Sequence, residues 1–247
     1  MQRTRARAGL AGLSELASRV GEAPAPALAA GELVPRARWR ARSAVPSNMT
    51  PTRGGYDRIT VHHTAEVPGS RFDGSLDDSL RVVNTVQRNH MGNEGWGDIG
   101  YHFLIDAAGR IYEGRSLRYQ GAHAGGDANR NNIGICMIGN FQHGSPSPRA
   151  MASLEATLAE LRREHSIRRD RVHGHREFKS TECPGPALAR WVEDYGRRGP
   201  RLAELGGSSG GAPAVRTASV APATGRAVSA APASRSLRGP ARSATVR

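Results

Sequence analysis

The stretch His173-Gly-His175-Arg-Glu-Phe-Lys-Ser-Thr181-Glu-Cys183-Pro-Gly places imidazole and thiol donors close together in the chain. His175 and Cys183 lie eight residues apart, and Pro184-Gly185 ends the loop sharply, so the thiol can fold back beside the imidazole. Zinc takes three or four nitrogen, sulfur or carboxylate donors at about 2.0–2.3 Å, and a catalytic site keeps one position for water. A third donor must come from elsewhere, and the His62-His63 pair in a β-branched run is the candidate. Strand alternation sends these two rings to opposite faces, so only one can join the set. Two histidines and a cysteine with an open position form the donor set of a hydrolytic zinc centre, whereas a structural finger is closed. The spacing alone fits a buried cysteine near a surface histidine better than a metal site.

These donors need elements to hold them. Residues 56–64 (YDRITVHHT) have the composition of a strand. In residues 76–90, Leu76, Leu80, Val83 and Gln87 recur at helical spacing, with Ser75 and Asp78 as a capping-box pair. The run YHFLIDAAGRIYEGR reads as two strands joined in a hairpin at residues 106–109. Residues 133–138 form a short apolar run suited to a central strand. Ser147-Pro148 opens a helix with Met151, Leu154, Leu158 and Leu161 on one face. A last helix over residues 186–195 ends at Gly196. Strands alternating with amphipathic helices predict a single α/β domain over residues 35–199, a central mixed β-sheet flanked by helices.

Composition bounds the remaining possibilities. The chain has 247 residues with 35 basic and 22 acidic side chains, a formal +13, and Lys179 is its lone lysine. Most of the excess charge sits in the flanks, where it can attract a polyanion without defining a specific site. Residues 206–247 are rich in Ala, Ser, Gly, Pro and Arg, repeat Ala-Pro-Ala three times, and carry no acid or aromatic ring. Such a segment cannot bury enough apolar surface to offset about 1–2 kcal/mol of backbone entropy per residue, which predicts a disordered basic tail over 200–247. Residues 1–34 read as a leader, signal-like or disordered: Arg3, Arg5 and Arg7 precede an apolar stretch, but Ser14, Glu15 and Arg19 interrupt it. No run approaches the roughly 18 apolar residues of a membrane-spanning helix. Two cysteines cannot build a disulfide scaffold.

Several motifs in one order sharpen the zinc reading. They run from Pro35-Arg-Ala-Arg-Trp39 through ITVHHTA (59–65), GWGDIGYHFLIDAAGRIYEGR (95–115), GAHAGG (121–126) and NNIGICMIGNF (131–141) to GHREFKSTECPG (174–185). In wording and order they resemble the peptidoglycan recognition protein and type 2 N-acetylmuramoyl-L-alanine amidase family, which includes phage amidase lysozymes. The resemblance spans residues 35–196. It implies zinc held by His62, His175 and Cys183, with His62 preferred over His63 as the first histidine of the triplet. It implies catalytic roles for Tyr101 and Thr181, and substrate-binding roles for His90, His123 and Asn131. The implied reaction is hydrolysis of the amide between the lactyl group of N-acetylmuramic acid and L-Ala in peptidoglycan. Members that only bind peptidoglycan typically lack part of this set, whereas here all five metal and catalytic positions are filled. The short-range disulfide of the animal members has no counterpart.

The resemblance also implies a muramyl-peptide partner, and that substrate implies a protein secreted or resident in the cell envelope or periplasm; a monomer with no specific nucleic-acid partner is expected. Two rivals stay on the table: a cysteine peptidase using Cys183 with His175 as base, and a peptidoglycan-binding protein without activity. Nucleic-acid binding rests on net charge alone, with no basic-aromatic module to support it. His63, Cys136, Trp39, Trp96 and Trp191 are expected to serve structure.

Overall fold

The computed structural model describes residues 31–197; the leader at 1–30 and the tail from 198 onward lie outside the described residues. Six strands, β1 (Leu33–Val34), β2 (Arg58–His63), β3 (Phe103–Ile105), β4 (Ile111–Glu113), β5 (Asn132–Met137) and β6 (Val172–Gly174), form one sheet in the order β1-β4-β3-β5-β2-β6. The β3–β4 pair is the antiparallel hairpin, and every other pairing is parallel, so the sheet is mixed as expected. Asp106 builds the hairpin turn: one carboxylate oxygen accepts from Ala108 N and Arg110 N, and Gly109 supplies a φ of +84°.

Three helices cover the sheet: α1 (Leu76–Gly92), α2 (Pro148–His165) and α3 (Pro186–Arg197). Period-two alternation divides the strands between two cores. Ile59, Val61, Ile133, Ile135 and Met137 join Leu154, Leu158 and Leu161 of α2 and Leu188 and Val192 of α3. Cys136, Leu104 and Tyr112 on the opposite face join Val82 and Val83 of α1 and Trp39. Burial on both faces explains why β5 reads as a continuous apolar run. Each fully buried Leu of α2 stabilises the fold by about 1.5–3 kcal/mol.

Ser147 Oγ accepts from Ala150 N and Pro148 occupies the first turn, as the sequence suggests. At α1 the capping box is half formed. Ser75 Oγ accepts from Asp78 N, but the Asp78 carboxylate turns instead to Ser70, Phe72 N and Arg81, fastening the preceding loop. Leu33–Val34, just before the expected boundary at residue 35, adds an edge strand on β4. The last helix continues through Gly196 to Arg197. No helix among the described residues is long and apolar enough to cross a membrane.

Candidate metal centre

β2 carries Thr60 and His62 on one face, Ile59, Val61 and His63 on the other. His62 is 1% exposed at the C-terminal end of this central strand. His63 turns to the opposite core, where its Nδ1 accepts from Phe141 N at 3.2 Å. The alternation expected of the pair is therefore present, and it leaves His62 facing the late loop.

That loop folds back on itself. Arg176 N donates to Cys183 O at 3.1 Å, and the Arg176 guanidinium reaches Glu182 O. Gly185 has φ +91°, and a Cβ there would stand 2.2 Å from Phe141 O, so only glycine lets the chain leave the loop at this point. Glu177 fixes the start of the loop, accepting from Gly174 N and facing His173 Nδ1, both at 2.7 Å. The thiol arrives beside β2, with His63 N at 3.4 Å and His62 Nδ1 at 3.8 Å from Cys183 Sγ.

One ligand atom from each of His62, His175 and Cys183 lies within 4.8 Å of the others. Zinc bonds at tetrahedral angles set such atoms about 3.3–3.6 Å apart, so a small contraction would suffice to close the set. His175 Nε2 is buried without a hydrogen-bond partner, as a metal-ligating ring nitrogen would be before the ion arrives. The residues thus fit zinc.

Electrostatics point the same way. Burial, reinforced by the neighbouring histidines, holds His62 well below its ordinary range, and burial also lowers His175. Both rings are neutral near pH 7, the state that ligates a metal. Burial pushes the Cys183 thiol up to about 11, opposed by the His63 N–H and Arg176. A bound divalent cation reverses that balance, because a coordinated thiol ionises.

Tyr101 is half-buried, its ring centroid 5.2 Å from that of His62. Burial and the nearby Cys136 and Cys183 sulfurs raise its hydroxyl well above 10, so it keeps its proton. Thr181 Oγ1 accepts from Cys183 N at 3.2 Å, which leaves the hydroxyl proton available. His90 accepts from Gly100 N through Nδ1 at 3.0 Å, beside Trp96 and Tyr101. Burial, followed by the Arg115 charge, lowers His90 to about 4, so at neutral pH Nε2 carries its single proton.

Of the other two residues expected to touch substrate, His123 stands against the metal donors and Asn131 stands apart from them. His123 is 8% exposed and stands behind His62, Nδ1 at 3.0 Å from His62 Nε2. Asn131 precedes β5, five residues before the register position of His62, roughly 16 Å along the strand at about 3.3 Å per residue. It adopts φ +54°, its backbone carbonyl accepts from Asp57 N and Arg58 N, and its amide suits donation to Arg53 O and Gly55 O. These bonds give it a loop-fastening place and keep it away from the metal donors.

Trp96, expected to serve packing, lines a cleft of about 200 Å³ with Gln120, Gly121, Ala122, Asn129 and Met49. Arg115 lines it too, and Trp96, Arg115, Gly121 and Ala122 belong to the motifs at 95–115 and 121–126, whereas Met49, Gln120 and Asn129 lie outside them. Cys136 is fully buried, and both cysteines are free thiols.

Comparison with known proteins agrees with this architecture. Residues 52–186 match the Amidase_2 family, N-acetylmuramoyl-L-alanine amidase. Mouse peptidoglycan recognition protein 1 is 35% identical over 165 residues, 66% of this chain and 87% of the relative. Peptidoglycan-recognition protein SC1a/b of Drosophila simulans is 34% identical, covering 66% and 84%. The crystal structure of Drosophila peptidoglycan recognition protein SD superposes with a TM-score of 0.59 at 28% identity, over 65% of this chain and 92% of that one. Peptidoglycan recognition protein-LE, solved with tracheal cytotoxin, a monomeric diaminopimelic acid-type peptidoglycan, gives 0.60 at 29% identity, over 70% and 98%. With its sheet, its late His-Cys loop and more than half its length matched, the chain belongs to the peptidoglycan recognition protein and type 2 N-acetylmuramoyl-L-alanine amidase family.

Proposed function

We propose that this protein is a zinc-dependent N-acetylmuramoyl-L-alanine amidase that hydrolyses the lactyl–L-Ala amide of peptidoglycan. The observation that carries the reading is the convergence of His62, His175 and Cys183 within 4.8 Å, with the Tyr101 ring beside them. Zinc bound there supplies Lewis-acid polarisation of the scissile carbonyl and a water acidic enough to react near neutral pH.

The chain's own groups do the rest. Tyr101, protonated at neutral pH, donates its hydroxyl proton to the oxygen on which negative charge develops. Thr181, its oxygen engaged by Cys183 N, presents a second hydroxyl donor next to the ligand loop. The neutral His90, packed beside Trp96, offers Nε2–H to polar groups of the muramyl peptide. Because this substrate is wall material, the working location is the cell envelope or the exterior.

The relatives' names favour a second reading, peptidoglycan binding without cleavage. The complete donor set with Tyr101 and Thr181 favours hydrolysis. Chelation followed by zinc addition tests the choice: the amidase loses and regains stem-peptide release, whereas a pure binding protein sediments with sacculi and releases nothing. A cysteine peptidase acting through Cys183 would resist the chelator and succumb to alkylation. Cys183→Ser is expected to lose zinc and hydrolysis together, and a fully active Cys183→Ser protein would refute the site.

A further inference from the structure

Across the His62 ring from Cys183, a second imidazole is held with more care than a packing residue requires. His123 Nε2 lies 3.2 Å from the carbonyl oxygen of Asn132, and His123 Nδ1 lies 3.0 Å from His62 Nε2. A carbonyl can only accept, so His123 Nε2 bears the proton and the Nδ1 of the neutral ring is bare. Nδ1 must then accept from His62 Nε2–H. The remaining His62 nitrogen, Nδ1, keeps its lone pair and stands 3.8 Å from Cys183 Sγ.

Two glycines make room for this arrangement. A Cβ at Gly121 would come 2.3 Å from His123 Cδ2, and one at Gly134 would come 2.5 Å from the same atom. Neither glycine has a left-handed φ, so each provides space and not backbone freedom. The backbone of the same segment is fastened as well. Asn129 Oδ1 accepts from His123 N at 2.8 Å and Ala124 N at 2.7 Å. Asn132, whose carbonyl receives His123, is itself tied by Thr60 and by Ala128 O.

We propose that His123 is a positioning residue that fixes the tautomer and orientation of His62, presenting His62 Nδ1 as a bare ligand nitrogen through the relay Asn132 O, His123, His62. The inference rests on reading His62, His175 and Cys183 as zinc ligands. Partners of this kind change metal affinity by about 10–100-fold when removed.

The test uses the full chain as wild type, His123→Phe, which keeps a ring but has no acceptor, and His123→Asn, whose Oδ1 can take the place of Nδ1. Nitrogen–proton correlation spectra of the metal-free protein read the His62 tautomer, and competition with a chromogenic chelator reads zinc affinity. Expected are a His62 Nε2–H tautomer in the wild type, its loss in His123→Phe with affinity about 10–100-fold weaker, and substantial recovery in His123→Asn. A wild-type His62 protonated on Nδ1 overturns the inference without any variant, as does a His123→Phe protein with unchanged tautomer and affinity. A wild type that binds no zinc sinks the metal reading instead, and its His62 tautomer still decides the role of His123.

Discussion

Gly134→Ala is a one-carbon perturbation whose consequence follows from distances. The new Cβ would stand 2.5, 2.7 and 2.8 Å from His123 Cδ2, Cγ and Nε2, against about 3.5–4.0 Å for comfortable carbon contacts. The ring must retreat by roughly 1 Å to reach such contact. Its bond to His62 now spans 3.0 Å and its bond to Asn132 O spans 3.2 Å, so such a retreat breaks at least one of them. Overpacking costs about 1–3 kcal/mol of stability. Loss of the relay weakens zinc binding by about 10–100-fold. The assay pairs denaturant melts of the metal-free chain with chelator competition for zinc. Both quantities should fall. A Gly134→Ala protein with wild-type zinc affinity would show that the glycine is not reserved for this ring.

Tyr101→Phe should keep wild-type zinc content and KM within a few-fold while kcat drops about 10²–10³-fold, the usual consequence of removing one oxyanion donor; loss of zinc in this variant would place Tyr101 in the metal shell instead. Acid stability should depend on His102, whose buried ring, further disfavoured as a cation by Arg115, titrates at about 4 although Tyr119 O favours the cation. Between the unfolded value of 6.5 and about 4, the unfolded state binds the extra proton. Stability therefore declines as pH falls through that window, by roughly 3 kcal/mol in total at about 1.36 kcal/mol per pH unit. His102→Gln should flatten the slope of unfolding free energy against pH, and an unaltered slope would contradict this origin.

Much of the fold could be read from the chain because local chemistry and tertiary burial agree there. Ser147-Pro148 caps α2 in both, and the apolar run of β5 is apolar because both faces of that strand are covered. The opposite orientations of His62 and His63 came from strand period alone. What escaped depends on distant partners. Leu33–Val34 is too short to show periodicity, and it becomes a strand through β4. Asp78 has the type and spacing of a capping residue, but a loop N–H at Phe72 and the Ser70 hydroxyl compete for its carboxylate.

The site divides along the same line. His175 and Cys183 share one loop, so their meeting was legible, whereas the role of His123 depends on Gly134 in another strand. Asn131 was placed among the substrate contacts by its neighbours in sequence, whereas its bonds to the loop at residues 53–58 depend on partners far along the chain. Trp96 packs as its ring type suggests, against His90. Its packing on His90 leaves one side lining the cleft.

The most direct test of the amidase reading is mass spectrometry of purified peptidoglycan digested by the full chain, with zinc, with chelator, and with zinc restored after chelation. Expected are stem peptides bearing a free L-Ala amino terminus and muramic acid with a free lactyl carboxylate, absent under chelator and recovered with zinc. Release of the same products under complete chelation, or cleavage only at bonds within the stem peptide, would contradict it.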